Sequence, residues 1–120
     1  MINSSKVFEG FLQQSRFKIA LPFLKGDVLD FGGNEGELKK FVRGSYTLVN
    51  YDHAPMKNKT FDTIVALAVI EHIRAGDVFE VFNSFKHKLR PDGTLLLTTP
   101  THRSNTVNIL LRLSIPTNGK

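Results

Sequence analysis

Residues 61–67, Phe-Asp-Thr-Ile-Val-Ala-Leu, constrain the fold most. Beyond Asp62 and Thr63 the segment is apolar at every position, so neither side of a strand here could face water. A strand buried on both faces belongs inside a parallel sheet with helices packed above and below it. A membrane span would need roughly 20 apolar residues, and the longest mainly apolar run, Ile64–Ile70, falls far short.

The rest of the chain alternates accordingly. Val28–Phe31, Thr47–Tyr51 and Thr94–Thr99 are short runs of strand-forming residues bounded by Gly, Asp or Pro. Helical spacing covers 5–21 (Phe8, Phe11, Leu12 and Ile19, stopped by Pro22) and 35–43 (Leu38, Phe41 and Val42, stopped by Gly44-Ser45). From Asp77 a third stripe runs through Val78, Val81, Phe82, Phe85 and Leu89, and Glu80 stands at the capping-box distance from Asp77. Residues 53–60 form a polar loop, and Arg90-Pro91-Asp92-Gly93 a turn. Residues 104–114 fit a last helix through Val107, Leu110, Leu111 and Ser114. Strands alternating with helices mean βαβ units, an α/β fold built on an open, doubly wound parallel sheet with helices on both faces. The 120 residues predict one domain: an N-terminal helix and connection at 1–26, a binding core at 27–100, and a C-terminal helix or truncated remainder at 101–120.

Composition narrows the chemistry by exclusion. There is no cysteine, hence no disulfide, thiolate metal site or cysteine nucleophile. The net charge of +5 is spread over both halves. Its one short cluster, Lys86, His87, Lys88 and Arg90, is either a solvated helix face or a weak anion patch, so there is no clear nucleic-acid signal. The segment Met1-Ile2-Asn3-Ser4-Ser5 has no apolar signal core, which predicts a cytoplasmic protein.

The chemistry concentrates at Val28-Leu29-Asp30-Phe31-Gly32-Gly33-Asn34-Glu35-Gly36, where a strand runs into a glycine turn and then a helix. In open α/β sheets ligands bind at the carboxyl ends of strands, where such turns lie. The turn is either a ligand cradle or merely a tight connection. As a dinucleotide fingerprint it is imperfect, because Asn34 replaces the middle glycine and Asp30, Glu35 and Glu37 would repel a pyrophosphate. Those carboxylates suit a ligand carrying positive charge. Asp52, 22 positions after Asp30, stands where an acid accepts hydrogen bonds from ribose hydroxyls in nucleotide-binding sheets. Otherwise it caps a turn.

Four ordered segments together resemble the class I S-adenosylmethionine-dependent methyltransferases. Val28–Gly36 is similar to the family's D-x-G-x-G-x-G motif, read here as Asp30-x-Gly32-x-Asn34-x-Gly36. Thr47–Asp52 resembles the second family strand with its ribose-binding acid. Phe61–Ile73 resembles the FDxVxxxxVxEHI segment at the fourth strand, and Leu89–Pro100 the LkPGGxLxxxTPN segment at the fifth. The resemblance implies that S-adenosylmethionine is the cofactor. Gly32, Gly33, Asn34 and Gly36 would wrap its methionine and ribose part, and Asp30 would hold its ammonium end. Asp52 would accept from the ribose hydroxyls, and the backbone around Leu67 and Ala68 would line the methyl-donating side. Asn34 places a side chain where the family usually has none, and Asn tolerates positive φ better than most residues.

Glu71 and His72 follow the fourth family strand, where acceptors approach in relatives. His72 is the candidate base for a hydroxyl acceptor; the pair is otherwise structural, bonding to neighbouring backbone. Some relatives bind a divalent metal there through E-x-x-E-H, but here Ala68 replaces the first Glu, so no metal site is predicted. Without cysteine the covalent route to cytosine C5 is closed, and no N/D-P-P-Y/F follows residue 67. By this elimination a small-molecule, lipid or glycan acceptor is favoured over nucleic acid. Two rivals stand beside the enzyme: an inactive methyltransferase-like binding or scaffold module, and an NAD-dependent oxidoreductase, which Asn34 and the carboxylates disfavour.

The family sheet has seven strands. Only eight residues separate Asp52 from Phe61, too few for a crossover helix and a third strand. Four strands in the family order 2-1-4-5 are therefore expected, with Leu95-Leu96-Leu97 at an open edge. That edge would be covered by the 104–114 helix, by self-association with a second chain, or by more of a longer protein.

Overall fold

The structure, a computed structural model, describes residues 18–33, 36–49, 59–67, 69, 72–100 and 108–114, with 99–100 and 108–114 described by backbone alone. Its centre is one five-stranded sheet built from β1 (Val28–Phe31), β2 (Tyr46–Val49), β3 (Phe61–Leu67), β4 (Leu89–Pro100) and β5 (Asn108–Ser114). The order is β2-β1-β3-β4-β5. The first four strands are parallel, with Asp30 opposite Leu48 on one side and Val65 on the other. This is the expected 2-1-4-5 arrangement of a Rossmann-like sheet with a reduced strand number.

Alternation along the strands divides the core. Leu29, Ile64, Ala66, Leu95 and Leu97 pack with Phe85 and Leu89 on the face covered by helix α1 (Val78–Lys88). Phe31 of β1 meets Phe85 of α1 edge to face, with ring centroids 5.1 Å apart. Val28, Val65 and Leu96 pack on the other face with Ala20 and Leu38. Each large apolar side chain buried in this way contributes about 1.5–3 kcal/mol relative to exposure, which is why β3 carries no polar side.

Several local expectations are corrected. The helix expected over 35–43 is a 3₁₀ turn, Glu37–Phe41. Gly36 before it is left-handed and Val42 after it is extended, which leaves room for i→i+3 bonds only, from Lys39 N–H to Gly36 O at 3.0 Å and from Val42 N–H to Lys39 O at 3.1 Å. Of the helix expected over 5–21, residues 18–20 are described as helical and run into a 3₁₀ turn at Leu21–Phe23, with Pro22 in its first turn; the rest lies outside the described residues. The Asp77–Glu80 capping box does not form. Asp77 makes no side-chain cap bond, and its carboxylate instead accepts from Arg74 Nε at 3.2 Å, because the 3₁₀ turn Ala75–Asp77 already leads into the helix. The turn expected at 90–93 is an irregularity within β4. Phe61 pairs with Leu89 but Thr63 with Thr94, and Asp92 takes φ +65° to accommodate the extra residues.

The largest correction is at the C-terminal end. Residues 108–114, expected to be helical, form β5, which runs antiparallel to β4 from Thr94↔Ser114 to Pro100↔Asn108. A short apolar run satisfies both periods. The free N–H and C=O groups along β4 decide between them, because a strand satisfies that row and a helix cannot. The open apolar edge expected at Leu95–Leu97 therefore does not exist, and self-association through that edge loses its surface. Among the described residues no helix is long and apolar enough to cross a membrane.

Candidate active site

At one end of the sheet lies a polar clasp. Arg90 at the start of β4 donates to Asp62 Oδ2 at 2.8 Å, to Thr60 Oγ1 at 3.2 Å and to Asp27 Oδ2 at 2.9 Å. Ser45 N–H donates to Asp27 Oδ1 at 3.0 Å. This bond and the Arg90 guanidinium hold the Asp27 carboxyl below its ordinary range. The clasp ties together the entry ends of β1, β3 and β4, and leaves their carboxyl ends to form the site.

At those carboxyl ends β1 passes into the glycine turn. Gly32 N–H donates to Val49 O at 2.7 Å, extending the β1–β2 ladder one step past Phe31. Gly32 has φ +78°, and a Cβ there would lie 2.7 Å from Val69 Cγ2. Only glycine fits both the backbone and the space. Gly36 N–H closes the turn onto Gly33 O at 3.0 Å.

Beneath the turn lies Asp30, 4% exposed. Its Oδ2 accepts a 2.5 Å hydrogen bond from the Tyr46 hydroxyl. A Cβ on Gly33 would fall 2.2 Å from that same oxygen, so the turn backbone rests directly on the carboxylate. Burial pushes the Asp30 carboxyl up to about 6, with a smaller upward contribution from Glu37, while the Tyr46 bond pulls the other way. Burial and the neighbouring carboxylates push the Tyr46 phenol up as well. Glu37 Oε1 is buried with no hydrogen-bond partner among the described residues. Nor does any described salt bridge reach Asp30 or Glu37. A buried carboxylate with no described cation beside it, and a second carboxylate nearby with one buried oxygen left unbonded, suit a ligand bearing an ammonium group and oppose a phosphate. These acceptors therefore fit the ammonium group of the cofactor that the resemblance implies.

The structure brings together Asp30, Gly32, Gly33 and Gly36 from the expected site. Leu67 ends β3, half-buried against the Val65–Leu96 face. His72 is exposed just beyond β3, with its N–H donating to Val69 O at 2.9 Å. Asn34, Asp52, Ala68 and Glu71 lie outside the described residues. Among the described residues no group of three or more potential ligands could hold a metal. Two residues escaped the sequence reading. Val69, 1% exposed, closes over Gly32; its signal is the second valine of the FDxVxxxxVxEHI segment. Tyr46 stands opposite Val28, two positions before Asp30 on the same face of β1. Only the strand register could have revealed it.

The profile of a protein family described as a methyltransferase domain matches residues 10–116. The chain belongs to the methyltransferase-domain family. Solved structures of the glycopeptide N-methyltransferase MtfA share its fold. The complex with (S)-adenosyl-L-methionine is 16% identical with a TM-score of 0.58, that with sinefungin 17% with 0.57, and that with (S)-adenosyl-L-homocysteine 18% with 0.55. Each alignment covers 89% of this chain and 67%, 66% and 65% of those chains respectively, so the chain spans about two thirds of their length. No curated protein sequence matches the chain.

Proposed function

We propose that the chain is an S-adenosylmethionine-dependent methyltransferase acting on a small-molecule, lipid or glycan acceptor. The observation that carries this reading is the buried Asp30 carboxylate under the glycine turn, beside the orphaned Glu37 oxygen and with no described cation to neutralise it. The MtfA structures, complexed with S-adenosylmethionine and two related compounds, support the same cofactor.

S-adenosylmethionine, when bound, supplies an activated methyl carbon open to in-line displacement. The protein's part is then mainly orientation, worth up to roughly 7–11 kcal/mol of the barrier. Gly32, Gly33, Asn34 and Gly36 would wrap the methionine and ribose part. Asp30 would hold the ammonium, Asp52 would accept from the ribose hydroxyls, and Leu67 and Ala68 would line the methyl side. His72, with Glu71 beside it, would take the proton of a hydroxyl acceptor; its exposure beyond β3 gives an acceptor access.

The experiment is calorimetric titration of an Asp52→Ala variant with S-adenosylhomocysteine. Loss of a charge-assisted ribose contact should weaken binding by roughly tenfold or more. An affinity equal to the parent's would remove Asp52 from the site.

A further inference from the structure

We propose that Tyr46 is a positioning residue for this site: its hydroxyl holds the Asp30 carboxylate oriented and ionised beneath the glycine turn, so that capture of a cationic ligand group is linked to pH through the Tyr46–Asp30 pair. The proposal rests on the reading of Asp30 as the group that meets the ammonium end of the cofactor.

Tyr46 bonds the acid beneath the turn and lines the turn's far end. Its hydroxyl donates to Asp30 Oδ2, on which Gly33 rests. Its ring edge stands at the other end of the turn, where a Cβ on Gly36 would meet the hydroxyl oxygen at 3.4 Å and Cε2 at 3.6 Å. One side chain from β2 thus holds the acid and leaves no more than van der Waals room beside Gly36 in the loop above it. A carboxylate that turned towards Gly33 would meet the turn backbone, so the orientation of Asp30 bears on the position of Gly33.

The charge balance gives this hydrogen bond its consequence. Among the described residues, the titratable groups facing Asp30 are Glu37 from the 3₁₀ turn and Tyr46 from β2; the register neighbours Leu48 and Val65 are apolar. Burial and the Glu37 charge both favour the neutral acid, and the Tyr46 bond alone favours the ion. With the Asp30 carboxyl pushed up to about 6, a modest loss of that support neutralises the group near physiological pH. A neutral acid would hold an ammonium poorly.

The test is Tyr46→Phe, which keeps the ring and removes the hydroxyl. In the unliganded chain, ¹³C NMR titration of the Asp30 carboxyl should give a midpoint near 6 for the parent. The variant's midpoint should lie roughly one pH unit higher. In calorimetry with S-adenosylhomocysteine from pH 5 to pH 8, the parent's Kd should rise towards tenfold per unit as pH falls below the midpoint. The variant should show the same rise from a higher pH. In an Asp30→Asn background the pH dependence should vanish, and adding Tyr46→Phe should change Kd little. An unmoved Asp30 midpoint in Tyr46→Phe overturns the proposal. So does a parent Kd that is flat in pH, or a Tyr46→Phe effect of the same size in the Asp30→Asn background. If the parent binds no S-adenosylhomocysteine at pH 8, the reading of the site fails, and the NMR midpoint still decides whether Tyr46 governs Asp30.

Discussion

The backbone of Gly33 lies directly against the Asp30 carboxylate, where an added Cβ would come within 2.2 Å of Oδ2 and 2.6 Å of Oδ1. No side chain fits between them, so glycine here is fixed by contact. Gly33→Ala should push the carboxylate aside or lift the turn. Affinity for S-adenosylhomocysteine should fall by at least tenfold, with the fold retained by circular dichroism. An unchanged Kd would mean that the turn does not rest on the acid in the binding form.

The raised acid predicts a pH signature in stability. A carboxyl whose folded-state value lies above its unfolded value stabilises the fold when protonated. The contribution of Asp30 is therefore full below about 3.8 and is lost as pH rises through about 6, an amplitude of about 3 kcal/mol. Denaturant titrations of the parent minus Asp30→Asn, taken across pH 4–7, should reveal that loss. Glu37→Gln removes the neighbouring charge that raises Asp30. It should make the unliganded chain more stable at pH 7 and weaken its grip on a cationic ligand.

Arg90 gives the converse case, because it serves the fold and not the site. It binds Asp27 and Asp62 at the entry ends of the strands. Arg90→Met should leave two carboxylates without their shared partner and lower the melting temperature by a few degrees, a modest effect because the pair is partly exposed. Affinity for S-adenosylhomocysteine should stay within twofold of the parent's. Asp27, held below its ordinary range, contributes stability present above its unfolded value near 3.8 and lost as pH falls further. The parent should thus lose more stability below pH 4 than the variant does.

How much was legible depended on whether residues acted locally or through the sheet. The two-sided apolar run of β3 announced a parallel sheet, and the observed strand matches it at Phe61–Leu67. The glycine turn was legible because Gly32 and Gly33 answer to backbone geometry and contact, which leave a mark in residue type. Of the helix expected at 104–114, residues 104–107 lie outside the described residues, and the part over 108–114 is a strand because β4's edge, a non-local demand, decides its conformation. The capping box failed because the chain enters α1 through a 3₁₀ turn that sequence spacing does not reveal. Tyr46 was invisible for the same reason as β5: its partnership with Asp30 exists only once β1 and β2 are in register.

The central claim is that the turn over Asp30 takes S-adenosylmethionine and not a dinucleotide. Isothermal titration calorimetry of the full chain at pH 8 tests it directly. S-adenosylhomocysteine should bind once per chain with a micromolar Kd, and NAD should give no heat of binding. Binding of NAD with comparable affinity, or no response to S-adenosylhomocysteine, would contradict it.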